Sequence, residues 1–401
     1  MLNYNLVLND LSKREKVSLD FLNEEIAKKT LKFHSSFEQY TKTPLVELKE
    51  LSKYLGISDF FVKDESYRFG LNAFKVLGGS FAVGQYIANK LNKDINDLPY
   101  KTLISDEIKK EIGNLTFITA TDGNHGRGIA WTAEQLKQKA IVYMPKGSAK
   151  ERLEKIRDHG ATAEIKEMNY DECVRYANEF AEKNGWVMIQ DTAWEGYEDL
   201  PTWIMQGYVT MAYEAYLKMN EQNKKPTHIF LQAGVGSMAS AVCGFFSSVY
   251  ADSKPIITIV EPNKADCLFR TAKANDGKLH FVTGDMDTIM AGLACGEPCT
   301  IGWKVLNSYA DNFLSVPDDA SAHGMRLLGN PLKGDERVIS GESGAVTAGV
   351  VSQLMRRDEL KNIKESLKLD ESSVVLCFST EGDTCFEHYR NVVWNGLYPN
   401  L

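Results

Sequence analysis

Residues 115–144, LTFITATDGNHGRGIAWTAEQLKQKAIVYM, decide the architecture. A β-branched and aromatic run ends at Ala120, a polar glycine turn follows, GRGIAWTAEQLK has helical composition, and AIVYM returns to strand. The alternation goes on to residue 190. SAKERLEKIRDHG predicts a helix with Ser148 as N-cap and Gly160 beyond its end; TAEIKEM, DECVRYANEFAEKNG and VMIQ predict strand, helix and strand. Strict alternation of this kind means βαβ units and a mostly parallel sheet. Residues 226–262, PTHIFLQAGVGSMASAVCGFFSSVYADSKPIITIVEP, have the length and pattern of one further βαβ crossover. A third apolar run, SSVVLCFSTEGD at 372–383, also ends in a polar glycine turn. Open α/β sheets bind ligands at the carboxyl ends of their strands, so TATDGNHG, QAGVGSM and STEGD are the junctions to read for chemistry.

Composition narrows the classes. The 401 residues are 43% apolar and 25% charged, which is globular, and are long enough for two domains. A formal charge of −8 argues against a nucleic-acid binder, which needs a basic face to neutralise phosphates. The first twenty residues mix charged and apolar positions and predict no signal peptide. No run approaches 18 apolar residues, so no membrane span is expected. Seven cysteines scattered between Cys173 and Cys385 read as reduced thiols of a cytoplasmic chain, with a local disulfide involving Cys267, Cys295 or Cys299 left open. Cys295 and Cys299 have no histidine or cysteine pair at zinc-site spacing around them, and no metal is expected. Without repeats or a long linker, a second domain is expected to be woven into the first.

Three features carry chemistry. In GLNAFKVLGG, residues 70–79, Lys75 stands between Phe74 and Val76. Such a lysine either extends its amine to water past an apolar stem or presents a desolvated, reactive amine to a carbonyl. Gly234 and Gly236 permit a tight turn before a helix starting near Ser237, whose unpaired N–H groups suit a phosphate. Gly234, Gly236 and Ala239 also match G-x-G-x-x-A, with Glu261 ending the next strand, which leaves a dinucleotide site as an alternative. In TATDGNHG, Asp122, Asn124 and His125 surround Gly123: turn residues on a bland reading, donors for a carboxylate and a phenolic oxygen on a functional one. A reactive lysine, a phosphate turn and ring-binding polar groups are together what pyridoxal phosphate requires.

NAFKVLGG, TDGNHGRG, QAGVGSMA and STEGDT, in this order over most of the chain, resemble the fold type II pyridoxal-phosphate enzymes, the tryptophan synthase β-subunit and threonine dehydratase group. Within the group the pattern is most similar to the diaminopropionate ammonia-lyases, through KDESYRFGLNAFKVLGG, Asp122 before Gly123-Asn124, and QDTAWEGYEDLPTWIMQGY. Ala73 and Leu77 stand where the common dehydratase motif has serine and arginine, and Asp122 stands where it has serine. The resemblance implies two open, mostly parallel twisted sheets flanked by helices, with the active site between a large domain (1–84 and 190–401) and a small inserted one (85–189). It also implies a homodimer acting on a small amino acid.

The resemblance further implies an α,β-elimination from 2,3-diaminopropionate to pyruvate and two ammonia. Lys75 would attach the cofactor and take the Cα proton on one face, and Asp122 would take it on the other. Asp191, otherwise an ordinary turn residue, would help bind the second amino group. Asn124 would meet the ring oxygen; the N–H groups of Gly234, Val235, Gly236, Ser237 and Met238, with the Ser237 hydroxyl, the phosphate; and Thr380, or failing it Ser379, the ring nitrogen. The N–H groups of Thr121, Asp122, Gly123, Asn124 and His125 would hold the substrate carboxylate. Trp194, Tyr197 and Trp203 read as core aromatics. The rivals are a serine/threonine dehydratase on the same frame and a nucleotide- or NAD-binding protein built on AGVGSMA and Glu261.

Overall fold

The computed structural model describes residues 3–121 and 123–399. Three strands open the chain, β1 (Asn5–Leu8), β2 (Leu45–Glu47) and β3 (Asp59–Asp64). Next come β4 (Thr116–Ala120), β5 (Lys139–Met144), β6 (Thr162–Ile165) and β7 (Val187–Met188). The last four are β8 (His228–Gln232), β9 (Ile256–Pro262), β10 (Asn312–Val316) and β11 (Val374–Ser379). Seven of them form a sheet in the order β1-β10-β9-β8-β11-β3-β2, and four a second sheet in the order β6-β5-β4-β7. The smaller sheet is parallel throughout, and the larger is parallel except at its edges, where β1 and β2 run antiparallel to their neighbours.

Burial explains the composition of the strands. HIFLQ in β8 and NFLSV in β10 are buried at every position, as expected of parallel strands covered by helices on both faces. The helix after β6, Tyr170–Asn184, is bounded by a capping box between Asn169 and Glu172 and by left-handed Gly185. Ser148 does not cap the helix before it. That helix is Lys150–Arg157 with Ala149 at the N-cap, and the Ser148 hydroxyl donates instead to the Pro145 carbonyl at 2.8 Å, closing the preceding turn. Among the described residues no helix is long and apolar enough to cross a membrane, and the cysteines form no disulfide.

Strand order brings the chemistry together. β11 lies between β8 and β3, so the turns after β8 and β11 are neighbours, and the chain leaving β3 leads directly to Lys75. Lys75 immediately precedes the helix Val76–Lys90, which packs against the helices Asn124–Gln135 and Asp199–Glu221. Gly78 permits that approach: a Cβ there would lie 2.5 Å from the Tyr208 ring, and one at Gly207 only 2.4 Å from the Leu77 carbonyl. Gly78 thus serves helix packing.

Candidate active site

The turns after β4, β8 and β11 and the residues around Lys75 line one cavity of about 880 Å³. The Lys75 side chain is 20% exposed, and its amine forms an ion pair with Asp191, which is 4% exposed. The apolar flanks of Lys75 therefore cover its stem, while its amine meets a carboxylate; the expectation of an amine desolvated by its neighbours is corrected to this extent. Burial opposes ionisation of Asp191, but the charge of Lys75, with His125 adding to it, overcomes that cost and holds the carboxyl down at about 2.

Asp191 is well supported. Gln190 Nε2 donates to the Tyr170 hydroxyl at 2.9 Å, and that hydroxyl lies 3.4 Å from Asp191 Oδ1. Tyr197 stacks on Trp194 with ring centroids 4.3 Å apart; its hydroxyl accepts from the Gln190 N–H at 2.8 Å and donates to the Met188 carbonyl at 2.9 Å. These aromatics thus fix the segment that ends in Asp191. His125 Nε2 lies 2.8 Å from the Ile189 carbonyl, which can only accept, so that nitrogen carries the proton.

Gly236, at φ +100°, turns the chain into the helix Ser237–Val249. The first bond of its ladder runs from the Ser240 N–H to the Gly236 carbonyl at 2.8 Å, so the N–H groups of Ser237, Met238 and Ala239 precede the ladder at the cavity wall. The Ser237 hydroxyl is committed elsewhere, donating to the Asp191 carbonyl at 2.5 Å. An anion here would therefore be held by backbone rather than by that hydroxyl, which narrows the expected phosphate set.

The turn after β4 narrows as well. The Thr121 N–H donates to the Tyr143 carbonyl at 3.0 Å, and the Gly123 N–H to Thr121 Oγ1 at 2.9 Å. Two of the five expected carboxylate donors are thus occupied; Asn124 and His125 begin the following helix. Asp122 lies outside the described residues.

Thr380 and Ser379 diverge. Thr380 lines the cavity, and its hydroxyl oxygen accepts from Gln232 Nε2 at 2.8 Å, leaving its own proton to donate. Ser379 points away and donates to Ser340 Oγ at 2.8 Å. Glu261 is remote from any ribose role: both its oxygens accept N–H groups of the helix Cys267–Ala274, from Leu268 at 2.9 Å and Phe269 at 2.6 Å. The dinucleotide alternative loses its acidic residue to a helix cap.

Sequence reasoning gave no role to Gln232, Tyr170 or Glu381. Gln232 and Glu381 stand inside the quoted strand-end motifs, but each acts by holding a neighbour, which no spacing rule reveals. An amine on the wall, donors ahead of a helix ladder and a hydroxyl with a proton to give are the groups that pyridoxal phosphate needs, and the residues fit it.

The chain belongs to the pyridoxal-phosphate dependent enzyme family, whose model matches residues 37–367. It is 51% identical to the diaminopropionate ammonia-lyase of Salmonella typhimurium over 381 residues, 94% of each chain. With the Escherichia coli K12 enzyme of that name it shares 50% identity over 373 residues, 93% of this chain and 92% of the other. The fold superposes on the crystal structure of the holo diaminopropionate ammonia lyase from Escherichia coli with a TM-score of 0.93 at 45% identity, covering 99% of this chain and 98% of that one. A structure of the same enzyme in complex with an aminoacrylate-PLP azomethine reaction intermediate gives a TM-score of 0.91 at 45% identity, with the same coverage.

Proposed function

We infer that the chain catalyses the α,β-elimination of 2,3-diaminopropionate, a carbon–nitrogen lyase reaction that consumes one water and yields pyruvate and two ammonia. The observation that carries this reading is the Lys75–Asp191 pair on the wall of the cavity that also receives the helix start at Ser237. Full-length likeness to diaminopropionate ammonia-lyases supports it.

Lys75 is the residue to hold the cofactor's carbonyl carbon, the backbone from Gly234 to Met238 its phosphate, Asn124 its ring oxygen and Thr380 its ring nitrogen. Bound pyridoxal phosphate supplies an electron sink for the pair left at Cα. Because Thr380 has a hydroxyl proton to donate and no carboxylate, it favours a neutral ring nitrogen. The N–H groups of Asn124 and His125, with the Thr121 side chain beside them, orient the substrate carboxylate. Lys75 Nζ removes the Cα proton on one face; Asp122, assigned from sequence, removes it on the other. Asp191 binds the β-ammonium. Ion pairing there keeps the nitrogen protonated, so that it leaves as neutral ammonia. The carboxylate that meets the Lys75 amine thereby serves the substrate once Lys75 is engaged with the cofactor.

The two-domain division at 84/85 and 189/190, the homodimer and the cytoplasmic location are part of the same proposal. Limited proteolysis, sedimentation and cell fractionation test them in turn. The main test is pyruvate release from D- and L-diaminopropionate against D- and L-serine. Diaminopropionate is expected to turn over faster in at least one enantiomer; faster release from serine would replace the reading with a dehydratase.

A further inference from the structure

We propose that Glu381 is a positioning residue that holds Asn124 for the cofactor and joins the two sheets across the cavity. Glu381 is buried and lines the cavity one residue beyond Thr380. Its Oε2 accepts from Asn124 Nδ2 at 2.5 Å, and its Oε1 accepts from the Ser343 N–H at 3.1 Å. The Thr384 hydroxyl lies 3.5 Å from Oε2. Both oxygens thus face N–H donors, the arrangement an ionised carboxylate satisfies, since it can only accept.

Three elements meet on this one side chain. Asn124 begins the helix that follows β4 of the smaller sheet, Glu381 follows β11 of the larger, and Ser343 lies in the first turn of the helix Glu342–Arg356. Glu381 is itself tied back to the segment before Lys75 through a bridge with Ala73. The helix start at Ser343 supplies a positive dipole end to the carboxylate. Glu381 in turn decides which way the Asn124 amide points: the atom facing a carboxylate must be the NH₂ group. One of its two hydrogens is committed to Glu381. The other remains for a ligand in the cavity that Asn124 lines.

An amide left to rotate would offer its oxygen as readily as its nitrogen, and an oxygen repels a phenolic oxyanion. The function of Glu381 is therefore exerted through Asn124. It rests on the reading that Asn124 meets the ring oxygen of pyridoxal phosphate.

The test compares Glu381→Ala, Asn124→Ala and the double variant, each resolved of cofactor and titrated with pyridoxal phosphate. Following the visible absorbance of the bound cofactor across pH gives a second readout. Each single variant is expected to weaken cofactor binding about tenfold and to displace the pH midpoint of the band. The double variant is expected to weaken it about tenfold again relative to wild type, not a hundredfold, because both remove one interaction. Multiplicative losses, or an unchanged affinity and midpoint in Glu381→Ala, overturn the proposal. Should Glu381→Ala fail to fold, Glu381→Gln decides. Its amide can accept from only one of the two N–H donors, so the same displacement is expected, and a wild-type spectrum and affinity overturn the assignment. Wild-type protein that forms no band with pyridoxal phosphate would refute the proposed function itself, a result distinct from either.

Discussion

Two lysines of this chain look alike in sequence and differ in everything the fold does with them. Lys63 in FFVKDE and Lys75 in NAFKVL both follow aromatic residues and stand beside a valine. Lys63 is 1% exposed and lies among Glu65, Arg68, Glu214 and Thr43. In that cluster Arg68 donates to Glu65 Oε2 at 2.8 Å and to Glu214 Oε2 at 2.8 Å, while Glu214 also accepts from Tyr40 at 2.7 Å. Burial alone would raise the Glu214 carboxyl, but Arg68 and then Lys63 outweigh it and hold it at about 2. Every charge there has several partners, and none of them lines the cavity. Lys75, by contrast, meets Asp191 at the edge of a space large enough for a cofactor. On the proposed function, chemistry belongs to the lysine whose partner can be exchanged; the saturated one holds the structure around it in place.

The largest effect that could break this contrast is at Lys75. Lys75→Ala is expected to reduce pyruvate release by about a thousandfold or more, since on the proposed function it removes both the attachment point and a base. Its thermal midpoint should fall less than that of a variant in the saturated cluster, because water in the cavity can solvate Asp191. Substantial turnover by purified Lys75→Ala would remove the distinction altogether.

Arg68→Ala tests the other side. Removing one partner from a fully buried ionic cluster costs about 3–5 kcal/mol, because the remaining charges are left uncompensated. Urea unfolding should register that loss, while kcat of the folded fraction stays near wild type. The cluster also sets an acid limit. Glu214 has a depressed carboxyl, so its stabilisation is fully present above its ordinary value near 4.5 and is lost as pH falls toward about 2. Glu214→Gln should flatten the stability curve in that window; a curve parallel to wild type would show that the cluster does not govern acid unfolding.

Asp191→Asn sharpens the contrast at intermediate size. An amide keeps the shape but not the charge, so kcat/KM for diaminopropionate should fall by about a hundredfold, within the range of a positioned acid–base group. Serine, lacking a β-ammonium, should lose less. Equal losses for both substrates would leave Asp191 as a partner of Lys75 alone.

How much of this was legible in the sequence follows from the same physics. The strands from β4 to β7 and the crossover from β8 to β9 were readable because alternation and glycine turns are local signals. The preference for Thr380 over Ser379 rested only on likeness to a motif. The structure gives the physical ground, a Gln232 amide on one side and a Ser340 hydroxyl on the other. Ser148 misled because a turn closed by its hydroxyl has the same composition as a helix cap. Glu261 kept a dinucleotide alternative open because a carboxylate that caps the next helix has the spacing of one that binds a ribose. Partnerships such as Arg68 with Glu214 or Asn124 with Glu381 join residues 146 and 257 positions apart, and no pattern within a window can carry them.

The smallest expected effect concerns a pair between the two extremes. His388 lines the cavity, half-buried, with Nδ1 2.5 Å from Glu342 Oε1. The hydrogen bond to Glu342 raises the imidazole above its ordinary value, and partial burial opposes it. A raised histidine stabilises the fold fully below about 6.5, and that contribution is lost as pH rises through its folded value. Solvent reaches the pair, so the contribution is about a few tenths of a kcal/mol, far below the Arg68 cluster. His388→Asn should therefore reduce the fall in the urea midpoint between pH 6 and pH 9, with little change at the upper end. If the variant keeps the wild-type pH dependence, then access to the cavity does not make a charge pair exchangeable by protons. Exchangeability would then be confined to Lys75 and Asp191, where the incoming charge is that of the substrate.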